Sequence, residues 1–162
     1  MIALIQRVAQ ASVSVDAREI SRIGRGLLIL LGVFTNDTKD DANFLAEKAV
    51  NLRIFDDDCG VMNLSLLETG GEALCVSQFT LCANTRKGRR PSFSNAMKPD
   101  EAEKLYNAFC DEVEKHGIRT ARGLFGATMA VELINDGPVT VILNSRETRR
   151  LNDRDLAPIG GR

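Results

Sequence analysis

The sequence predicts a single α+β domain in which mostly antiparallel, barrel-like strands carry two main amphipathic helices. Two segments with helical periodicity are separated by several short segments of strand propensity. Most of these strands are joined by short turns, which favours antiparallel pairing. The glycine-rich strand-to-helix turns of a nucleotide-binding βαβ fold are absent from the sequence. We therefore expect one domain over residues 1–145 and a charged, poorly ordered tail over residues 146–162.

The first third of the chain is rich in strand signals. Residues 2–9 and 12–15 predict two strands, and a turn then leads into a third strand over residues 19–23. Residues 27–34 form a continuous apolar run of strand length, which indicates a strand buried at the centre of the sheet. A short strand is expected over residues 53–55. The three aspartates that follow it predict a solvated turn, because the ligand pattern of an EF-hand is missing.

Two amphipathic helices are expected. The first follows potential N-caps at residues 36–38 and runs to about residue 52. The second begins at Pro99 and ends near His116, the single histidine, which precedes Gly117 where a C-cap and a cation are both favourable. The apolar stripes of the two helices are Ala42, Leu45, Ala49 and Leu52, and Ala102, Leu105, Phe109 and Val113.

The segment CVSQFTL, residues 75–81, predicts a strand around which the rest of the chain is arranged. Strand alternation would give both of its faces a mixture of apolar and polar side chains. Polar groups that enter an apolar face need partners, which at a strand end can be water or a ligand. Two later strands, residues 129–134 and 139–143, are expected to form a hairpin through residues 135–138.

Composition limits the possible chemistry. The formal net charge is −1, so any basic surface must be local and no global affinity for DNA is expected. Four cysteines lie at irregular spacings, which indicates free thiols in a reducing compartment and no zinc site. Because the single histidine is expected to cap a helix, an enzyme of this sequence would work without a histidine base. We also expect it to use no metal and no cofactor. The first residues resemble neither a signal peptide nor a membrane span, so we expect a cytoplasmic protein.

Three further features could serve a binding site. A loop carries four cations around Gly88, which could contact phosphate or could equally be a solvated loop. Phe125 and Met129 could form an apolar slot for a flat base, although core packing is the commoner use of such residues. Gly137-Pro138 could be a rigid tip that displays main-chain carbonyls, or a plain turn. The four cations are Arg86, Lys87, Arg89 and Arg90.

Two sequence motifs stand out when the chain is taken in order. SQFTL at residues 77–81 and NDGPVT at residues 135–140 are both complete, with TRKGRRPSF and LFGATM between them. With this combination the sequence resembles the D-aminoacyl-tRNA deacylase family from residue 2 to about residue 143. The tail after about Ser145 is longer than the family usually carries.

The resemblance implies a homodimer that hydrolyses the ester between a D-amino acid and the 3′-terminal adenosine of tRNA, and that also clears glycine from mischarged tRNA. It places each active site at the dimer interface, where the SQFTL segment of one subunit meets the Gly-cis-Pro tip of the other. Gly137 and Pro138 would bind the substrate amino group and exclude an L side chain by clash. Arg7 would hold the tip, and Phe125 and Met129 would receive the adenine. The catalytic residues implied are Ser77, Gln78, Phe79 and Thr80.

An aminoacyl ester is already activated, so water attack needs positioning and oxyanion stabilisation more than a strong base. Main-chain N–H groups near Phe79 could supply the oxyanion contact, with help from the ribose 2′-OH. The rival mechanism makes Thr80 a covalent nucleophile, but the sequence offers no base to activate it. Two other function classes remain open: a small-molecule aminoacyl esterase and a non-catalytic RNA-binding module.

Overall fold

The computed structural model describes residues 1–147, and it is α+β as the sequence predicts. A 3-10 helix, Phe79–Cys82, and three α-helices accompany eight strands within this range. The α-helices are α1 Lys39–Val50, α2 Leu66–Thr69 and α3 Pro99–Lys115. The strands are β1 Ile2–Val15, β2 Arg18–Ile23, β3 Gly26–Gly32, β4 Phe55–Asp56, β5 Met62–Leu64, β6 Glu72–Ser77, β7 Thr120–Arg122 and β8 Ala130–Asn144.

Strand β1 organises a six-stranded, nearly closed sheet. Its first half pairs antiparallel with β3 and its second half with β2, while β8 pairs antiparallel along its other edge. β3 also pairs with β6, and β6 pairs with β7, and both of these pairings are parallel. The expectation of mostly direct hairpin connections is therefore wrong for the β6 and β7 side. Parallel neighbours need crossovers, and α1 and α3 lie in those crossovers.

The two main helices pack on one face of the sheet, as their apolar stripes predict. Ala42, Leu45 and Ala49 of α1 are buried in the main core, and so are Ala102, Phe109 and Val113 of α3. β3 contributes to two cores, because Leu27, Ile29 and Leu31 face the helices while Leu28 enters a second cluster inside the curled sheet. Burial on both faces explains why residues 27–31 are continuously apolar. His116 is the C-cap of α3, as predicted.

The predicted hairpin over residues 129–143 is wrong. Both halves belong to β8, which pairs with β1 from Ser14↔Ala130 to Ile2↔Asn144. The register steps from Gln6↔Thr140 to Val8↔Asn135, so residues 136–139 bulge out of a strand that continues on both sides. A turn-like sequence is compatible both with a hairpin and with a bulge inside one continuous strand. The pairing of both halves with the same partner strand, β1, identifies the bulge. Residues 2–15 likewise form one strand, where two were expected.

The predicted strand over residues 75–81 is too long. β6 ends at Ser77, and Phe79–Cys82 is a 3-10 helix, so strand alternation does not apply beyond Ser77. The N–H of Gln78 donates to the carbonyl of Leu31 at 2.8 Å, after which the neighbouring strand β3 ends at Gly32. A Cβ on Gly32 would lie 2.9 Å from the Ile2 side chain and 3.0 Å from Leu81 Cβ. Glycine at this position therefore lets the helix fold back against β3.

Residues 148–162 lie outside the described residues, and so does most of the segment for which a poorly ordered tail was predicted. Arg146, at its start, donates to Asp37 at 3.3 Å and lies over the ring of Phe34. Within residues 1–147, no helix is both long enough and apolar enough to cross a membrane.

Candidate active site

A cavity of about 600 Å³ opens where β3 and β6 end, between the 3-10 helix, the start of α3 and the turn before β8. It brings together five of the residues that the sequence singled out, from two segments almost 50 positions apart. These five are Ser77, Gln78, Phe79, Phe125 and Met129. Thr80 follows directly on the 3-10 helix but does not line the cavity.

The segment from Ser77 to Thr80 presents main-chain donors. Among the described residues, the N–H groups of Phe79 and Thr80 have no hydrogen-bond acceptor, because they begin the 3-10 helix and lie beyond the last bond of the β6 ladder. The Gln78 side-chain amide donates to the hydroxyl of Thr80. Within residues 1–147 that amide is the only side chain bonded to the hydroxyl, and an amide cannot act as a general base.

The floor of the cavity is aromatic and rigidly held. Tyr106 is 3% exposed, lies 5.8 Å from Phe125 between ring centres, and donates its hydroxyl to the Cys75 carbonyl at 2.9 Å. The same carbonyl accepts from the Gly123 N–H at 2.8 Å. Burial and the neighbouring thiols of Cys110 and Cys75 raise the pKa of Tyr106, so it remains a neutral donor. Tyr106 thus joins α3 to the turn that carries Phe125.

Sequence reasoning missed Tyr106 and Phe93 as cavity residues. Tyr106 lies four positions after Ala102 on the buried stripe of α3, and this spacing could have identified it. Phe93 contacts Phe79 edge-to-face, with ring centres 5.0 Å apart. Its loop is irregular, so no periodic signal could have placed it there. Lys98 is the charged side chain that lines the cavity in the described structure.

The basic loop lies beside the cavity without lining it. Asn84 and Ser92 exchange main-chain hydrogen bonds of 2.8 and 3.0 Å, which close residues 85–91 into a compact excursion one residue before Phe93. All four predicted phosphate ligands, Arg86, Lys87, Arg89 and Arg90, are exposed. The loop therefore provides a positive surface next to the rim of the cavity.

Gly137 and Pro138 form the exposed tip of the β8 bulge, and the peptide bond between them is cis. Gly137 has φ +128°, and a Cβ there would lie 2.7 Å from the Val139 side chain and 3.0 Å from its main-chain nitrogen. The bulge is closed from inside by Asn135, whose side-chain oxygen accepts from the Val139 N–H at 2.9 Å. Glycine is thus required at 137 for both conformational and steric reasons.

Arg7 anchors the base of this tip. Its side chain is 6% exposed and lies on β1 opposite the bulge. Nε donates to the Asp136 carbonyl at 3.1 Å, and Nη1 donates to the Ile54 carbonyl at 2.7 Å. The carboxylates of Asp136 and Asp56 lie 3.2 and 3.3 Å from the guanidinium. One buried cation therefore ties β8 to the segment that leads into β4.

The tip and the cavity lie apart within one chain. β8 and β3 flank β1 on opposite sides, and the tip lies beside Arg7, which pairs with Leu27 near the start of β3. The cavity lies at the other end of β3, by Leu31 and Val33. Strand spacing and rise place the two about 15 Å apart, so a single chain does not bring them together.

The acidic turn at residues 56–58 is a structural feature. Asp57 accepts from the N–H groups of Cys59 and Val61 at 2.9 and 3.1 Å. These hydrogen bonds, that of Val61 foremost, lower the pKa of Asp57. No group of three metal-ligating side chains occurs within residues 1–147.

The family profile described as D-Tyr-tRNA(Tyr) deacylase matches residues 4–144. The chain belongs to this family. The deacylase match spans every element from β1 to β8 and includes both the cavity and the tip. A D-aminoacyl-tRNA deacylase is a carboxylic ester hydrolase, so this chain is a member of a hydrolase family.

Curated relatives of this deacylase chain are closely similar. The D-aminoacyl-tRNA deacylase of Roseiflexus castenholzii is 59% identical over 157 residues, covering 95% of this chain and 100% of that protein. That of Bacillus velezensis is 52% identical over 144 residues, covering 89% and 98%. Because residues 1–145 are about nine-tenths of the chain, the Roseiflexus alignment extends into the tail. A tail of this kind is therefore not peculiar to this chain.

Two solved structures share the fold. The c-Myc DNA Unwinding Element Binding Protein has a TM-score of 0.84 and 42% identity, covering 89% of this chain and 98% of that one. A protein described as a probable eukaryotic D-amino acid tRNA deacylase has a TM-score of 0.77 at 20% identity, covering 88% and 97%, and it supports the fold alone.

Proposed function

We propose that this protein hydrolyses D-aminoacyl-tRNA, releasing the free D-amino acid and tRNA. The observation that carries the proposal is the cavity in which Phe79, whose N–H has no acceptor among the described residues, lies together with an apolar slot at Phe125 and Met129. A flat apolar slot suits the terminal adenine, and donors next to it suit the ester carbonyl. Curated relatives at 52–59% identity carry the name of this activity.

The proposed mechanism uses water as the nucleophile. The N–H groups near Phe79 stabilise the oxyanion, and the ribose 2′-OH of the substrate helps to activate the water. The arrangement needs neither a histidine nor a metal, which agrees with His116 acting as a helix cap. Ser77 and Gln78 position the segment. Glycine on mischarged tRNA is a second substrate, because it has no side chain to exclude.

Chirality is selected by a second copy of the chain. In the proposed homodimer, the Gly137-Pro138 tip of one subunit enters the cavity of the other, where its carbonyls bind the substrate amino group and its bulk excludes an L side chain. The tip is exposed in a single chain and about 15 Å from that chain's own cavity, which favours use by a partner. Exposed Ile134 and Ile142 on β8 offer apolar surface for the contact.

The basic loop assists binding of the nucleic acid. Arg86, Lys87, Arg89 and Arg90 contact tRNA phosphates near the acceptor end, so the KM for charged tRNA rises with salt. Alanine at these positions is expected to raise the KM and flatten its salt dependence while kcat changes little.

The deciding experiment compares D-Tyr-tRNA with L-Tyr-tRNA, each with and without a terminal 2′-OH, and with a simple aminoacyl ester. The proposal expects rapid hydrolysis of the D-substrate, dependence on the 2′-OH and little action on the free ester. Equal binding of D- and L-charged tRNA without hydrolysis would identify an RNA-binding module. Comparable cleavage of the free ester would identify a small-molecule esterase.

The role of Thr80 is tested by Thr80→Ala and Thr80→Val. Because the hydroxyl contacts only the Gln78 amide among the described residues, we expect both variants to keep most of the activity. Loss of nearly all activity in well-folded protein would favour Thr80 as a covalent nucleophile.

A further inference from the structure

The rim of the cavity on the side of the basic loop carries two exposed aromatic rings. Phe79 is 58% exposed and Phe93 is 38% exposed, and their ring centres lie 5.0 Å apart in an edge-to-face arrangement. Exposed large apolar side chains that lie singly need no explanation, but a contacting aromatic pair at the mouth of a cavity indicates a ligand surface. The proposed acyl ester accounts for the main chain of Phe79 and leaves both rings unused.

Phe93 is fixed in place although it ends a long loop. The N–H of Met97 donates to the Val33 carbonyl at 2.9 Å, and Phe34 and Ala96 form an isolated β-bridge. On its other side, the Asn84–Ser92 bridge closes the loop one residue before it. The ring therefore stands on a backbone that is hydrogen-bonded on both sides.

Positive charge lies beside the same rim. The loop of residues 85–91 adjoins Phe93, and Lys98 lines the cavity itself. Asp100 and Glu101 lie in the first turn of α3, but neither lines the cavity. Aromatic side chains beside a cationic strip are the combination that binds single-stranded nucleic acid, because bases stack on the rings and phosphates meet the charges.

We propose that Phe93, held edge-to-face by Phe79, stacks the unpaired base of the nucleotide that precedes the terminal adenosine. The proposal rests on the proposed function, because a terminal adenosine in the Phe125–Met129 slot must send its 5′-phosphate out through the mouth of the cavity. The preceding nucleotide then leaves along the rim that carries the cations. This second subsite binds a base by its flat face, so it is tolerant of base identity.

The experiment compares two short substrates, a D-aminoacyl-adenosine and the corresponding D-aminoacyl-cytidylyl-adenosine, in the full-length protein. Wild-type protein is expected to prefer the dinucleotide in kcat/KM on the order of tenfold, the size of one base–aromatic stack. Phe93→Leu is expected to lose most of this preference, mainly through KM. Phe93→Tyr, which keeps the ring, is expected to retain it.

Each outcome has a separate meaning. If wild-type protein cleaves neither of the two short D-aminoacyl substrates and also fails to cleave D-aminoacyl-tRNA, the proposed function is overturned. If both short substrates are cleaved, but the ratio of their kcat/KM values is the same in wild-type and Phe93→Leu proteins, only the stacking subsite is overturned. The oligomeric state of each variant is measured in parallel. A change of oligomeric state in Phe93→Leu would assign the ring to a subunit contact and likewise overturn the subsite.

Discussion

Arg7 shows how one side chain can connect distant parts of the molecule. It is a buried cation on a largely apolar strand, and such a charge is stable only when its donors are satisfied. Its guanidinium contacts Ile54, Asp56 and Asp136, which lie 47, 49 and 129 positions from Arg7 in the sequence. The planar fork of arginine can serve several acceptors at once, whereas a lysine ammonium is a single compact charge.

Arg7→Lys is therefore expected to reduce the free energy of unfolding by about 1–3 kcal/mol, because hydrogen bonds of a buried charge are lost. Activity on D-Tyr-tRNA should fall further than the stability loss explains, since the tip loses its anchor. Chemical denaturation and deacylation assays measure the two effects. Arg18→Lys, the same exchange at an exposed position of β2, is the control and should change neither. Equal behaviour of the two variants would contradict the anchoring role.

At the level of elements, the start of α1 depends on a carboxylate. Asp41 accepts hydrogen bonds from the N–H and hydroxyl of Thr38 at 2.9 and 3.0 Å, which completes a capping box. Burial raises the pKa of Asp41, but hydrogen bonds from the Thr38 main chain and from the hydroxyls of Ser145 and Thr38 outweigh it. The pKa therefore lies below the ordinary value of 3.8. The contact with Ser145 joins the first turn of α1 to a residue near the end of the described chain.

A lowered carboxyl pKa means that the unfolded chain takes up the proton first as the pH falls. The stabilisation by Asp41 is thus present above about pH 4 and is lost as the pH falls through the lower, folded-state pKa. Asp41→Asn should cost about 1 kcal/mol at pH 7, and the difference from wild type should shrink towards pH 3. Urea unfolding at several pH values measures this. Asp100→Asn, in the first turn of α3, is the control. A pH-independent difference for Asp41→Asn would contradict the assignment.

The β8 bulge is a second element whose shape depends on a few residues. The two halves of β8 stay in register with β1, while Asn135 and Gly137 shape the projecting residues between them. Since a bulge is held by ladder pairs on both sides, it can present a short rigid segment more firmly than a free hairpin end can. This rigidity is what the proposed selection by steric exclusion would require.

For the whole molecule, the separation of tip and cavity predicts shared active sites. Ala127→Trp should fill the cavity, because Ala127 lines it, and Gly137→Ala should distort the tip, because the added Cβ clashes with Val139. Each variant alone is expected to be inactive. In a mixed dimer, one of the two sites receives an intact cavity from one chain and an intact tip from the other.

Co-refolding equal amounts of the two variants should therefore restore activity to about a quarter of wild type, because random pairing makes half the dimers mixed, with one good site each. Deacylation of D-Tyr-tRNA before and after mixing measures this. The control is each variant refolded alone at the same total concentration. If mixing restores nothing although mixed dimers form, the tip and the cavity do not meet between subunits.

Much of the fold could be predicted from local patterns. The helical stripes of α1 and α3, the buried strand β3 and the His116 cap all follow from the spacing of apolar residues and from capping chemistry. The resemblance carried by the complete SQFTL and NDGPVT motifs also named candidate site residues, five of which line one cavity, while their roles stay predictions. These are properties of short segments, in which each residue's neighbours along the chain determine the outcome.

Only the tertiary structure decided how those segments meet. The sequence could not show that residues 130–144 form one strand, because continuity depends on pairing both halves with β1. Nor could it show that the 3-10 helix replaces the end of a strand, or that Tyr106 and Phe93 join the cavity, since these contacts follow from where β3 ends and from how α3 packs. Local periodicity specifies which face of a segment is buried. The position of a cavity depends on long-range contacts that form only when the sheet has closed around β1.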